Sequence, residues 1–251
     1  MSIYPYPNLI AHRGAGKDAP ENSLAAFRLG AENGYTMFEC DVKLSKDKEL
    51  FLHHDDDLAR TTNGEGLAKH QNWAALSKLD AGSWHSAHYA GESLARFEQL
   101  VDFVIANKFQ LDVEIKPNPD EAYETGVAVA KFLEAKQHFG TGAYPFLLSS
   151  FQPESLKGAM AAVPAIPRAL LVDDWEGDVN KFFQILDDTE CIGIITNYKI
   201  LTEEIVERCH QSGRFVMIYT ANEPHEIKHL FEIGVDSVIT DNMKVLKDYT
   251  R

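Results

Sequence analysis

Three cysteines, no long apolar run and no surplus of positive charge define this chain first by what it lacks. Cys40, Cys191 and Cys209 are too few and too far apart for a disulfide framework or a Cys-based zinc site. Their free thiols suit a reducing compartment. No stretch of about 18 apolar residues offers a membrane span. Met1–Asn8 lacks the basic cluster and apolar run of a secretory signal. The expected location is therefore the cytoplasm, with no membrane anchor. Lys plus Arg number 24 against 38 for Asp plus Glu, a formal charge of −14. Such an excess of acid argues against a nucleic-acid partner held by its phosphates and against docking to an anionic membrane. No Gly-rich phosphate loop follows the first apolar run, since His12-Arg13-Gly14-Ala15-Gly16 does not fit one, which weighs against a doubly wound dinucleotide fold. Low-complexity tracts and fixed-period repeats are also missing.

What is present fits one barrel. The chain has 251 residues, 45% hydrophobic and 25% charged, and a (β/α)8 TIM barrel takes about 250. Short apolar runs predict strands at Leu9–Ala11, Met37–Leu44, Leu50–His53, Gln110–Ile115, Phe146–Ser149, Ala169–Val172, Ile192–Thr196, Phe215–Thr220 and Ser237–Thr240. Most lack strict alternation, as expected of strands buried on both faces. Helical patterns lie between them, at Glu21–Asn33, Leu94–Asn107, Thr202–Ser212 and Glu223–Ile233, with Gly213 and Gly234 closing the last two. Ser45–Glu49 is too short for a parallel crossover, which needs about a dozen residues. The second and third runs therefore form a hairpin turning at Ser45-Lys46-Asp47-Lys48, and eight barrel positions remain. Asp55–Ser93 has few strand signals and scatters Trp73, Leu76, Leu79, Trp84 and Tyr89 among polar residues. It is expected to be a small inserted subdomain, at about 55–93, over the mouth of a single barrel domain spanning 1–251.

Barrel chemistry belongs at the C-terminal ends of the strands. Those ends carry His12-Arg13-Gly14, Glu39-Cys40-Asp41, His53-His54-Asp55 and Glu114-Ile115-Lys116. Residues i and i+2 of a strand share a face about 7 Å apart. Glu39 and Asp41 should thus face inward with Cys40 outward, and Glu114 and Lys116 inward with Ile115 outward. Three converging carboxylates repel one another unless a hard cation, Mg2+ or Ca2+, joins them; the alternative is a network of structural ion pairs. His12 and His54, beside this cluster, are candidates for proton transfer or for metal ligation. His53, His70, His85, His88 and His138 read as surface or satisfied core histidines. Arg13 offers a planar fork for phosphate and Lys116 a point charge, unless both serve only as partners for the acids. Three carboxylates against two cations leave the site at −1; a divalent ion would make it +1 and able to hold an anion.

On these residues the sequence resembles the glycerophosphodiester phosphodiesterase family. The matching segments are His12-Arg13-Gly14, Pro20-Glu21-Asn22-Ser23, Glu39-Cys40-Asp41-Val42, His54-Asp55-Asp56-Asp57-Leu58-Ala59-Arg60-Thr61-Thr62, Glu114-Ile115-Lys116, Ser150-Phe151 and Thr240-Asp241, in the family's order and along nearly the whole chain. The resemblance implies a phospholipase-C-like (β/α)8 barrel with a small insertion after the second-strand hairpin. It further implies hydrolysis of small glycerophosphodiesters to sn-glycerol 3-phosphate and an alcohol, dependent on one divalent cation, with Mn2+ a further option. Carried over, Glu39, Asp41 and Glu114 would be metal ligands, His12 and His54 the acid–base pair, and Arg13 and Lys116 the phosphate contacts. Two positions depart from the pattern: Ser23 where Thr is common, and Tyr219 of Tyr219-Thr220-Ala221-Asn222 where Trp is usual. A related barrel acting on lysophospholipids would need an apolar rim, for which Trp73, Trp84 and Tyr89 are the candidates, although they read more simply as the insertion's own core. A catalytically dead binding module would be expected to lack some of the seven site residues, and all seven are here.

Overall fold

The computed structural model describes residues 4–136, 145–175 and 177–249; His138 lies outside them. The strands are β1 (Leu9–Ala11), β2 (Met37–Leu44), β3 (Leu50–Leu52), β4 (Gln110–Ile115), β5 (Phe146–Ser150), β6 (Arg168–Val172), β7 (Gly193–Asn197), β8 (Phe215–Tyr219) and β9 (Ser237–Thr240). All but β3 pair in parallel in the order β1-β2-β4-β5-β6-β7-β8-β9, and β9 closes onto β1 through Ile10↔Ile239. The result is a closed eight-stranded (β/α)8 barrel. β3 hangs outside it, antiparallel to β2 with Val42 opposite Leu52. The turn is tied by Ser45 N–H donating to the Glu49 carbonyl. This is the hairpin that the short Ser45–Glu49 link requires.

Alternation along each strand sorts the residues into two apolar layers. Phe38, Cys40 and Val42 of β2 pack outward among the helices, while Met37 packs inward with Ile10, Leu147 and Met217. At the N-terminal end the barrel is plugged by Tyr4, Tyr6 and Phe215, stacked edge to face at centroid distances of 5.4–5.8 Å.

The helical layer holds α1 (Leu24–Glu32), α2 (Trp73–Leu76), α3 (Phe97–Asn107), α4 (Ala122–Lys136), α5 (Pro153–Ala162), α6 (Val179–Asp188), α7 (Glu203–Gln211), α8 (Pro224–Glu232) and α9 (Leu246–Tyr249). α4 and α5 cross backbone to backbone. A Cβ on Gly126 would lie 1.9 Å from the Ser155 carbonyl oxygen, and one on Gly158 2.1 Å from that of Tyr123, so both positions need glycine. Two helices start about three residues later than their patterns suggest. In α1 the N-cap is Ser23, whose hydroxyl accepts from Ala26 N–H. Asn22, at φ 58°, turns away from the helix toward the barrel. Before α3, Leu94–Arg96 stays extended beside β3, with Leu52 N–H donating to the Ala95 carbonyl.

The segment after β3 packs around its own small cluster of Phe51, Leu58, Leu76 and Leu94, joined by Trp73. Asp80 ties its base by accepting from the Gly82, Ser83 and Gly91 amides. The aromatic residues divide. Trp73 belongs to this small core, Tyr89 packs on the main core, and Trp84 is 39% exposed with its indole N–H on the Ala81 carbonyl. They therefore form neither one core nor one apolar rim. Among the described residues no helix is long and apolar enough to cross a membrane.

Candidate active site

The inward positions near the C-terminal ends of β2 and β4 bring three acids together. Asp41 and Glu114 are register partners on adjacent strands, and Glu39 precedes Asp41 by two residues on the same face. All three are buried, and one carboxylate oxygen from each lies within 4.8 Å of the others. One oxygen of Glu39 and one of Asp41 are committed to other partners. Glu39 Oε2 accepts the Arg13 backbone N–H at 3.0 Å, and Asp41 Oδ2 accepts the Asn22 amide at 2.7 Å. Asn22 also accepts Asp41 N–H at 3.0 Å, which explains its left-handed backbone turn. Glu39 Oε1 and Asp41 Oδ1 have no hydrogen-bond donor among the described residues. Glu114 Oε1 has the Lys116 ammonium at 2.9 Å. Burial and the neighbouring Asp41 and Glu114 push the Glu39 carboxyl well above the usual range. Burial and Asp41 raise Glu114 to about 7. For Asp41, burial is outweighed by the Arg13 guanidinium, with His54 and Lys116 helping, and its pKa is lowered. A hard cation that accepts free carboxylate oxygens would resolve this arrangement, so the donor set fits such an ion. Cys40 is buried on the outer face, away from the triad.

Both histidines sit at the same mouth, each backed by a carboxylate. His12 Nδ1 is 2.6 Å from Asp241 Oδ1, and His54 Nδ1 is 2.6 Å from Asp55 Oδ1. The opposite ring nitrogens face the site: His12 Nε2 is 3.8 Å from Glu39 Oε2, and His54 Nε2 is 3.2 Å from Lys116 Nζ. An ammonium can only donate, so this contact gives His54 a lone pair on Nε2 and a proton on Nδ1. Burial, only partly opposed by Asp41, lowers the pKa of His54. His53, by contrast, is buried with Nε2 on the Asp57 carbonyl.

The cations are held as firmly. Arg13 Nη1 donates to Glu21 at 2.8 Å and Nε lies 3.2 Å from Asp41. Arg60 then spans two acids. Its Nη1 and Nη2 each reach Glu21 at 2.8 Å, while Nε and Nη2 reach Asp55 at 2.5 and 3.0 Å. A continuous chain thus runs Arg13–Glu21–Arg60–Asp55–His54. Sequence reasoning gave no role to Glu21, Asn22, Arg60, Asp55 or Asp241. It also passed over Asp112, buried at 1% exposure, whose carboxyl burial lifts to about 8 despite the Ser149 hydroxyl donating to it at 2.8 Å. The period-two step Asp112, Glu114, Lys116 was the available signal.

Two connected cavities open here. One, of about 280 Å3, is lined by His12, Arg13, Glu39 and Asp112 together with Leu171, Tyr219 and Ile239. The second, about 540 Å3, is lined by Lys43, Asp55, Asp56, Asn118, Asp120 and Gln152 among others. They share His54, Glu114, Lys116 and Phe151. All seven residues singled out in the sequence border the smaller cavity or adjoin it through the triad.

Three buried acids that fit a hard cation, two carboxylate-backed histidines and fixed cations around one opening suit a class, the barrel hydrolases of phosphate esters. The comparisons with known proteins narrow it. Residues 12–245 match the model of the glycerophosphoryl diester phosphodiesterase family. A glycerophosphodiester phosphodiesterase of Caldanaerobacter subterraneus subsp. tengcongensis is 29% identical, over 97% of each chain. A phosphodiesterase of Oleispira antarctica, solved in complex with the product sn-glycerol 3-phosphate, is 32% identical, covers 96% of each chain and superimposes with a TM-score of 0.88. A glycerophosphodiester phosphodiesterase from Agrobacterium tumefaciens, at 22% identity and a TM-score of 0.81 over 97% of this chain and all of that one, shares the fold. This chain belongs to the glycerophosphoryl diester phosphodiesterase family and is an enzyme of that kind.

Proposed function

We propose that the protein hydrolyses small glycerophosphodiesters to sn-glycerol 3-phosphate and an alcohol, by histidine acid–base catalysis at a site that requires one divalent cation, Mg2+ or Ca2+, with Mn2+ also acceptable. The observation that carries this reading is the triad of Glu39, Asp41 and Glu114 facing the same cavity as two carboxylate-backed histidines. Glu39, Asp41 and Glu114 would hold the ion, which when bound supplies positive charge for the phosphoryl oxygens and for hydroxyl groups of the glycerol. Arg13 and Lys116 attract and orient the phosphate. One of His12 and His54 takes the proton from the attacking oxygen as that oxygen bonds to phosphorus. The other delivers a proton to the leaving alcohol oxygen as its P–O bond breaks. Asp241 and Asp55 hold each ring so that its Nε2 faces the reaction.

The chain reads as a single barrel domain in which residues at about 55–93 form the inserted subdomain. Its three buried free thiols support a cytoplasmic setting. The test is release of glycerol 3-phosphate from glycerophosphocholine, glycerophosphoethanolamine and glycerophosphoglycerol. Activity should vanish with excess chelator and return with Mg2+, Ca2+ or Mn2+. Full activity in chelator, from protein shown by elemental analysis to retain no metal, would overturn the metal requirement.

A further inference from the structure

Tyr219 stands where the family resemblance leads one to expect Trp, and the proposed mechanism gives it no task. It ends β8, which lies across the barrel from β4, with β5, β6 and β7 between them on one side and β9, β1 and β2 on the other. Its ring meets Phe151 edge to face at 6.1 Å and forms a wall of the smaller cavity with Leu171 and Ile239. Its hydroxyl oxygen is shut off from solvent, yet it has no hydrogen-bond partner among the described residues. A buried hydroxyl left unpaired is destabilising, and proteins keep few of them without a reason. Burial, reinforced by the charges of Asp173 and Glu114, holds its pKa above the ordinary tyrosine range. It therefore keeps its proton and can donate.

The rest of the cavity says what would meet it. Arg13 and Lys116, the cations lining the cavity, stand on the β1 and β4 side with the triad. A phosphate is drawn to that side. The three-carbon unit esterified to it then reaches toward β6 and β8, across the barrel from β1 and β4, where Leu171 and the Tyr219 ring match its carbons. A glycerol hydroxyl that does not meet the ion needs another partner, and the Tyr219 hydroxyl on β8 is buried with none among the described residues. We propose that Tyr219 is a specificity-determining residue whose hydroxyl hydrogen-bonds a free hydroxyl of the glycerol half of the substrate. The proposal rests on the reading that this enzyme takes glycerophosphodiesters. A Trp in its place would fill the wall but carry no hydroxyl, and its indole N–H could donate but not accept.

The test compares two ligands of the Mg2+-loaded enzyme, sn-glycerol 3-phosphate and n-propyl phosphate, which differ only in the two hydroxyls. Dissociation constants are measured by calorimetry for wild type, Tyr219→Phe and Tyr219→Trp, alongside hydrolysis of glycerophosphoglycerol. Tyr219→Phe should weaken glycerol 3-phosphate roughly three- to tenfold, the worth of one neutral hydrogen bond, and move n-propyl phosphate less than twofold. Tyr219→Trp, whose indole N–H lies nearer the backbone than the tyrosine hydroxyl and so cannot take its place, should show the same selective loss of the hydroxylated ligand. Unchanged thermal unfolding of Tyr219→Phe would certify the fold. An unshifted glycerol 3-phosphate constant in Tyr219→Phe overturns the proposal, and so does an equal loss for both ligands, which would place the hydroxyl on the phosphate or on cavity shape. A wild type that hydrolyses no glycerophosphodiester removes the functional reading and this proposal together. An active wild type with an unselective Tyr219→Phe removes this proposal alone.

Discussion

Replacing His54 by alanine separates proton transfer from ion binding and from folding. The ring makes two polar contacts, Nδ1 with Asp55 at 2.6 Å and Nε2 with Lys116 at 3.2 Å. Neither partner is stranded by the change. Asp55 keeps its two contacts with Arg60, and Lys116 keeps Glu114 at 2.9 Å. The side chain of His54 is 31% exposed, so its removal deletes a half-solvated ring and leaves no sealed void. The loss of stability should be about 1 kcal/mol or less, as for partly exposed ion pairs. The acids that would hold the ion converge within 4.8 Å without His54, so ion binding should persist. The rate should nonetheless fall roughly 10²–10⁴-fold, or about 3–5 kcal/mol of barrier. The assays are hydrolysis of glycerophosphocholine, elemental analysis of the ion-loaded protein and thermal unfolding. Leaving-group chemistry then sorts the two histidines. An aryl ester of glycerol 3-phosphate needs little protonation on departure, so it should partly rescue whichever of His12→Ala and His54→Ala has lost the acid, and not the other. Loss of the ion in His54→Ala, or a rate within tenfold of wild type, would refute the reasoning.

Arg60→Met should leave stability within about 1 kcal/mol, because its pairs with Glu21 and Asp55 are partly exposed, yet lower kcat/KM about tenfold or more, since Arg60 steadies both Arg13 and His54. Combined with Asp55→Asn, the losses should be less than additive; full additivity in the double mutant counts against a shared path. Ion affinity should fall as pH drops through about 7. Glu114 titrates there when no ion is bound and Glu39 is raised as well, so below that pH the ion must displace protons that above it are already gone. Calorimetry in two buffers of different ionisation enthalpy should reveal proton release on Mg2+ binding at pH 6.5; no release at that pH contradicts the raised carboxylates.

The barrel was legible because its strands announce themselves by composition. Runs such as Phe146–Ser150 and Phe215–Tyr219 are buried on both faces, and apolar continuity marks them without any tertiary information. The hairpin followed from the shortness of the Ser45–Glu49 link alone. Helix starts were less legible where the chain leaves its local preference for a distant partner. Pro20 and Glu21 look like a first helical turn, but Asn22 is held at φ 58° by Asp41. The same division runs through the site. Glu39 with Asp41, and Glu114 with Lys116, were visible as period-two pairs on strands. Asp241 was not, because nothing local ties it to His12, 229 residues away. Asp55 was hidden for the opposite reason. Adjacent residues in an extended chain point apart, and it takes the bend after β3 to bring its carboxylate back onto the ring of His54.

Arg13 shows why the structural and the functional readings of a buried charge need not compete. It is the leading favourable charge on Asp41, whose carboxyl is held below the usual range while burial and neighbouring acids hold those of Glu39 and Glu114 above it. It is also fixed through Nη1 by Glu21, which leaves the guanidinium plane little freedom at the cavity wall. A phosphate arriving there would meet a cation already desolvated and oriented, so less ordering remains to be done on binding. The acids therefore play a second part beside the one expected of them. They hold in place the positive groups that a protein of charge −14 needs if it is to admit an anion, and the bound ion would supply the remaining excess of positive charge. Removing Glu21 should consequently weaken phosphate binding although its carboxylate would itself repel the phosphate. Simple charge counting predicts the reverse sign.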